Sequence, residues 1–441
     1  MLKPPELLSP AGSPKHLRYA FAFGADAVYA GLPRYSLRVR NNDFDSLEAV
    51  ADGIAQAHAA GKKFFLTANI LPHNSKVRTF VADLDPAMRL KPDGVILADP
   101  GLIALTREQW PDIPVHLSVQ ANTMNYAAVR FWQGVGVTRI ILSRELALEE
   151  VEAIRQACPD MELEVFVHGA LCIAYSGRCL LSGYFNHRDP NQGTCTNSCR
   201  WEYSVTPDAA DPTAAQPRAG DRAHMPLVLT ESTRPDQPMP IEEDEHGTYI
   251  LNSKDLRAVE HVQRLVKIGV NSLKIEGRTK SFYYVARTAQ VYRQAIDDAV
   301  AGREFDPSLL GVLEGLVNRG YTDGFYQRHH DHEYQLYMTK QSNTEKQQFV
   351  AEVLSYDSES RLAEVLTKNK LTTGDHVELI SPGGNRSFQL TRMIDQEGAT
   401  LGEAAGSGRP VRIAVPGPVI APSLLAKFLP ARAAKRVENA H

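Results

Sequence analysis

The strongest constraint on this chain is a rhythm. Short β-branched or apolar runs alternate with amphipathic helical stretches, the order expected of a parallel sheet built from strand–helix units. Eight runs read as strands: Glu6–Ala11, Ala27–Gly31, Lys63–Asn69, Gly94–Ala98, Val115–Gln120, Arg139–Ser143, Leu163–Val167 and Ser272–Glu276. Helical periodicity covers Pro14–Phe23, Ser46–Ala60, Gly101–Gln109, Tyr126–Gly134, Leu148–Ala157 and Leu256–Ile268. Ser13 before Pro14 has the form of an N-cap and a first-turn proline. Eight such units predict an α/β chain with a (β/α)8 TIM-type barrel over residues 1–335. No GxGxxG follows the first strand, which weakens a dinucleotide-binding sheet.

Two regions break the rhythm. An insertion over residues 170–250 carries four cysteines and then a Pro/Ala/Asp-rich excursion, Thr206–Pro240, that reads as no core element. Beyond a polar linker, Phe325–Glu345, the composition changes to short strands split by Gly- and Pro-containing turns. They predict a small β-barrel over 346–418, followed by a basic tail over 419–441 that is helical or loose.

Charge excludes one class of partner surface. Lys plus Arg number 48 against 52 Asp plus Glu, a net charge of −4, so any nucleic-acid-binding face must be local. No apolar run reaches the roughly 18 residues of a membrane span. The opening residues, broken by Pro4, Pro5 and Glu6, form no signal peptide. Five cysteines in 441 residues are no secreted disulfide framework. A cytoplasmic enzyme is the expectation.

Cys172, Cys179, Cys195 and Cys199 fall within 28 residues, while Cys158 stands alone at a helix end before Pro159. Clustered thiolates in a reducing compartment hold zinc or an iron–sulfur cluster. The uneven spacing suits a four-iron cluster better than paired zinc knuckles, and zinc stays open. The set follows the seventh strand, and barrel enzymes build their sites from such strand–helix loops. Other strand ends also carry polar groups. His168, Glu145 and Glu276 are acid/base candidates, with His168 equally readable as a hydrogen-bonded core histidine. Asn69, Gln120, Asn122, Arg144, Lys274 and Arg278 are substrate-binding candidates, the cations suiting an anionic small molecule. Alternation puts Lys274 and Glu276 on one face.

Several strings resemble a known family. Val167-His-Gly-Ala-Leu-Cys-Ile-Ala-Tyr-Ser-Gly-Arg-Cys-Leu-Leu-Ser182, Asn191-Gln-Gly-Thr-Cys-Thr-Asn-Ser-Cys-Arg-Trp201 and Leu273-Lys-Ile-Glu-Gly-Arg278 are similar to the signature of the collagenase-like peptidases of unassigned catalytic type, family 32. Tyr35-Ser-Leu-Arg-Val-Arg-Asn-Asn42 and Arg188-Asp-Pro-Asn-Gln-Gly-Thr194 bring the likeness nearest to its tRNA-modifying branch. The resemblance implies prephenate-dependent hydroxylation of a wobble uridine to 5-hydroxyuridine, in the anticodon loop of tRNA. It implies a 4Fe-4S cluster on Cys172, Cys179, Cys195 and Cys199, and a second domain like domain 2 of elongation factor Tu. The family name carries an alternative, a collagenase-like peptidase, but the sequence has no HExxH, no GxSxG and no Ser/His/Asp order. A non-catalytic RNA-binding scaffold with a structural cluster is the third reading. Broad tRNA contact is expected from Gln348–Pro416 and the tail residues Lys427, Arg432, Lys435 and Arg436.

Overall fold

In a computed structural model of the protein, the described residues are 2–171 (without 33 and 38–42), 203–207, 227–231, 239–241, 255–327 (without 319) and 347–429 (without 407). The first seven strands are β1 (Glu6–Pro10), β2 (Ala27–Gly31), β3 (Lys63–Thr67), β4 (Gly94–Leu97), β5 (Val115–Leu117), β6 (Arg139–Ile141) and β7 (Glu162–Ala170). Then come β8 (Tyr203–Pro207), β9 (Leu227–Glu231) and β10 (Met239–Ile241), an antiparallel three-stranded sheet inside the stretch read as irregular. β11 (Asp255–Arg257) precedes the eighth barrel strand, β12 (Ser272–Ile275), and β13 (Tyr321–Thr322) follows it. β1 to β7 pair in parallel in chain order, and β12 closes the ring against both β1 and β7. All eight expected strands are present. Their inward and outward faces are both buried, as a parallel barrel wrapped in helices requires.

The helices are α1 (Pro14–Ala22), α2 (Leu47–Ala59), α3 (Asn74–Val77), α4 (Phe80–Met88), α5 (Pro100–Gln109), α6 (Tyr126–Gly134), α7 (Leu148–Ala157), α8 (Val262–Ile268), α9 (Phe282–Val300) and α10 (Ser308–Glu314). Ser13 caps α1 by accepting the His16 N–H at 3.3 Å, with Pro14 in the first turn. The helix expected from Leu256 starts only at Val262. Asp255–Arg257 is instead a strand, paired antiparallel with the end of β7 (Leu256 opposite Gly169). Within the described residues no helix is long and apolar enough to cross a membrane.

The second domain consists of β14 (Gln347–Asp357), β15 (Leu362–Thr367), β16 (Leu371–Thr372), β17 (His376–Ile380), β18 (Arg386–Gln389), β19 (Met393–Ile394), β20 (Glu403–Ala404), β21 (Pro410–Ala414) and β22 (Ser423–Phe428). Seven of them form an antiparallel sheet in the order β18-β17-β22-β14-β15-β21-β19, around a core that includes Val350, Val365, Leu379 and Ile413. A correction concerns the tail. Residues 423–428, read as helical or loose, are a strand between β14 and β17, because Leu424, Leu425 and Ala426 are buried in the sheet.

The two domains share apolar and polar contacts. Phe349 stacks on Tyr283 with ring centroids 4.9 Å apart. Arg287 of α9, 1% exposed, donates to Glu378 at 3.1 Å. Lys15 pairs with Glu352, which also accepts the Tyr19 hydroxyl at 3.1 Å.

Candidate active site

Alternation along the strands fills the barrel with an unusual charged layer. Glu6 on β1, Arg139 on β6, Glu164 on β7 and Lys274 on β12 all point inward. Arg139 Nη1 lies 2.6 Å from Glu6 and 3.2 Å from Glu164, and Lys274 Nζ lies 2.7 Å from Glu164. Glu164 is fully buried, so each charge depends on its neighbours for solvation. Burial alone would raise the Glu6 carboxyl; Arg139 and Lys63 outweigh it and hold the group below its ordinary value. Burial pushes Lys274 down, against the pull of Glu164. Its ammonium also sits 4.4 Å from the Tyr29 ring centroid and 5.5 Å from that of Phe166. Lys274, expected at the mouth as an anion ligand, is therefore an interior group engaged by Glu164.

The mouth lies one layer above. Arg144, in the loop after β6, stacks its guanidinium 3.6 Å from the Phe166 ring centroid and forms an ion pair with Glu276, just past β12. Arg278 donates to Ser36 Oγ at 2.8 Å and lies 5.7 Å from the Tyr29 ring centroid. A Cβ at Gly31 would come within 2.5 Å of the Arg278 guanidinium, so this close approach needs glycine. Glu145 accepts from Ser143 Oγ at 2.5 Å. The structure thus brings Arg144 and Glu276 together, and places Arg278 on the neighbouring strand ends through Tyr29.

The strand-end groups described on the opposite side are uncharged. Asn69 donates from Nδ2 to Ser118 Oγ at 3.2 Å, and Ser118 donates to Gln120 Oε1 at 3.3 Å. Asn122 turns the chain in the left-handed region (φ 49°), closing the 3₁₀ turn Val119–Ala121. Thr67 Oγ1, Gln120 Nε2 and Thr123 Oγ1 are buried without hydrogen-bond partners. Thr67, Ser118 and Thr123 had no separate signal in the sequence beyond their position at strand ends.

Of the two readings of His168, the geometry agrees with the core histidine, its Nδ1 3.3 Å from the Tyr292 hydroxyl. Strand alternation after Glu164 and Phe166 would turn it into the barrel, but a bulge between β7 and β12 breaks the register there. Its ring packs instead among Tyr284 and Tyr292 of α9 and Tyr321, at 5.5–5.7 Å between centroids. Burial lowers it to about 3, with Lys280 and Arg257 adding to the effect. The ring is a neutral core group.

Cys172, Cys179, Cys195 and Cys199 lie outside the described residues. Cys158 is buried at the end of α7, its Sγ 3.6 Å from the Tyr126 carbonyl, and takes no part in that set. Among the described residues Glu260, His261 and Asp323 bring three donor atoms within 4.8 Å of one another, with His261 Nε2 2.9 Å from Asp323.

The sequence matches peptidase family U32 over residues 12–336 and the C-terminal domain of that family over residues 345–426. It is 55% identical over 433 residues to tRNA hydroxylation protein P of Haemophilus influenzae, covering 93% of each chain. It is 57% identical over 427 residues to the protein of that name in Escherichia coli, covering 93% of this chain and 94% of that one. A 23S rRNA 5-hydroxycytidine synthase of Escherichia coli is 33% identical over 336 residues, 73% of this chain and 45% of that one.

Proposed function

The chain belongs to peptidase family U32, and from that premise we propose that it is a tRNA-hydroxylating enzyme, adding one oxygen at C5 of a wobble uridine. The observation that carries this reading is the two-sided mouth. Arg144 and Arg278 offer guanidinium groups on one side, suited to the two carboxylates of prephenate as co-substrate. Asn69, Ser118 and Gln120 on the other side would offer uncharged hydrogen-bonding groups to a base. An anticodon-loop nucleotide is already single-stranded, so presenting its base costs little unpairing.

The four cysteines fit a 4Fe-4S cluster by donor type, since the Cys158 thiol meets the Tyr126 carbonyl and Cys172 comes two residues after the end of β7 in the chain. Such a cluster, on Cys172, Cys179, Cys195 and Cys199, would supply one-electron chemistry beside the bound base. The chain's own groups do the rest. Arg144 and Arg278 orient the acid, with Phe166 and Tyr29 lying against their guanidinium groups and Glu276 paired with Arg144.

Among the described residues no comparable arrangement supports peptide hydrolysis. Ser13 and His16 are 2.5 Å apart, but Ser13 is a helix cap, and the ring's other nitrogen meets the Lys280 carbonyl, not an orienting carboxylate. Nucleoside mass spectrometry of tRNA from cells lacking the protein tests the reading. The hydroxylated uridine should vanish and return with the wild-type gene; an unaltered nucleoside profile overturns it.

A further inference from the structure

The neutral wall has a fixed hydrogen-bond direction. A backbone N–H can only donate, and that of Leu37 meets Asn69 Oδ1 at 3.4 Å. The Asn69 amide is thereby oriented, with Nδ2 donating to Ser118 Oγ at 3.2 Å. The hydroxyl has one hydrogen, and it goes to Gln120 Oε1 at 3.3 Å. The Gln120 carbonyl is then occupied, and its Nε2 stands as an obligate donor, buried and unpartnered. Two more buried hydroxyls without partners, Thr67 Oγ1 and Thr123 Oγ1, belong to the same strand ends. Buried polar groups in native structures find partners, so this group of unfilled atoms marks a place for a ligand.

We propose that Gln120 reads the C4 carbonyl of the target uracil, its amide held as a donor by the relay from Leu37 through Asn69 and Ser118. The inference rests on the reading of the protein as a uridine hydroxylase and names what selects the base. A neutral donor suits the carbonyl of a neutral base, whereas a carboxylate is better matched by the guanidinium groups across the mouth. Uracil and cytosine differ at C4, where one carries an oxygen acceptor and the other an amino donor. Facing cytosine, the Gln120 N–H would meet another donor, and both would lose their water without a bond in return. C5, the carbon that takes the oxygen, adjoins C4, so gripping the carbonyl also sets the reacting carbon. Thr67 and Thr123 hydroxyls can donate or accept, so they could serve N3 of either base, and the discrimination falls on Gln120.

The test uses the full-length protein and two tRNA transcripts that differ only in uridine or cytidine at the wobble position. Dissociation constants for both, and oxygen incorporation into the uridine transcript, are measured for wild type, Gln120→Glu and Ser118→Ala, with circular dichroism confirming the fold. Wild type should favour uridine by roughly 10- to 100-fold. Gln120→Glu replaces the donor with an acceptor and should bring that ratio to about one or invert it. Ser118→Ala frees the amide to turn and should reduce the ratio less, serving as the informative variant if Gln120→Glu misfolds. An unchanged ratio in either folded variant, or equal weakening of both transcripts, overturns the base-reading role while oxygen incorporation by wild type keeps the hydroxylase reading intact. A wild type that incorporates no oxygen overturns that reading first, and this inference with it.

Discussion

Arg144 and Glu276 stand 132 residues apart in the chain and meet as an ion pair at the barrel mouth, with the guanidinium flat over Phe166. One was expected to bind an anion and the other to transfer a proton. Their contact means that the carboxylate competes with any incoming acid for the same guanidinium. Glu276→Gln should therefore tighten prephenate binding, and Arg144→Ala should weaken it about tenfold to a hundredfold, since charge-assisted hydrogen bonds contribute roughly 1.5–3 kcal/mol. Calorimetric titration of each variant reads both signs; unchanged affinity in both would remove the pair from the site.

The interior network makes a different prediction. Replacing Lys274 by Met leaves Glu164 buried with one cation fewer, and a broken buried pair costs about 3–5 kcal/mol. Lys274→Met should lower the denaturation midpoint strongly, and Lys274→Met with Glu164→Leu should recover much of the loss. Chemical unfolding of the two single variants and the double checks this; strictly additive losses would show that the two groups do not depend on each other.

Acid should destabilise the fold partly through His168. Its folded value near 3 lies below the ordinary 6.5, so the unfolded chain binds the proton more readily. The stability due to the neutral ring is complete above about pH 6.5 and is lost as pH falls from there toward 3. His168→Phe should flatten the pH dependence in that window by about 1.4 kcal/mol per pH unit. Urea midpoints between pH 4 and 7 measure the slope, with His16 and His116, both also lowered by burial, left in place.

Two truncations separate folding from RNA contact. Removing residues 419–441 takes out β22 and should unfold the small domain, while removing 430–441 spares every strand described in it. The shorter deletion removes Arg432, Lys435 and Arg436. If they touch phosphates, it should weaken tRNA binding and reduce its salt slope by up to about three. Lys427 is not among these candidates, because its ammonium already donates to the Lys370 carbonyl at 2.9 Å.

Protein purified without oxygen should be brown and carry about four irons per chain. Serine at Cys172, Cys179 or Cys195 should bleach it, read by absorbance and metal content. One zinc and no iron would replace the cluster assignment.

The barrel was legible because short apolar runs alternate with amphipathic stretches, several of them opened by a side-chain cap, as at Ser13, Ser46, Asp99 and Asn125. What the sequence could not show were events that depend on distant partners. The bulge that turns His168 outward exists only because β7 pairs with β12 on one side and β11 on another. Lys274 and Glu276 share a strand face, yet one is engaged below by Glu164 and the other above by Arg144. Charge type was readable, but depth was not. The strand Ser423–Phe428 was missed because Leu-Leu-Ala inside a basic tail has no period of its own, and its partners lie about 50 to 80 residues upstream.

That strand also fixes an order of assembly on the ribosome. The barrel is closed once Ser272–Ile275 has emerged to join β1 and β7. The second domain has no such early completion, since β22 fills the gap between β14 and β17 and is made after every other strand described in it. Until Phe428 is synthesised, two facing strand edges stand open, the kind of surface that pairs with neighbouring chains. Translation pausing upstream of β22 would prolong that exposure.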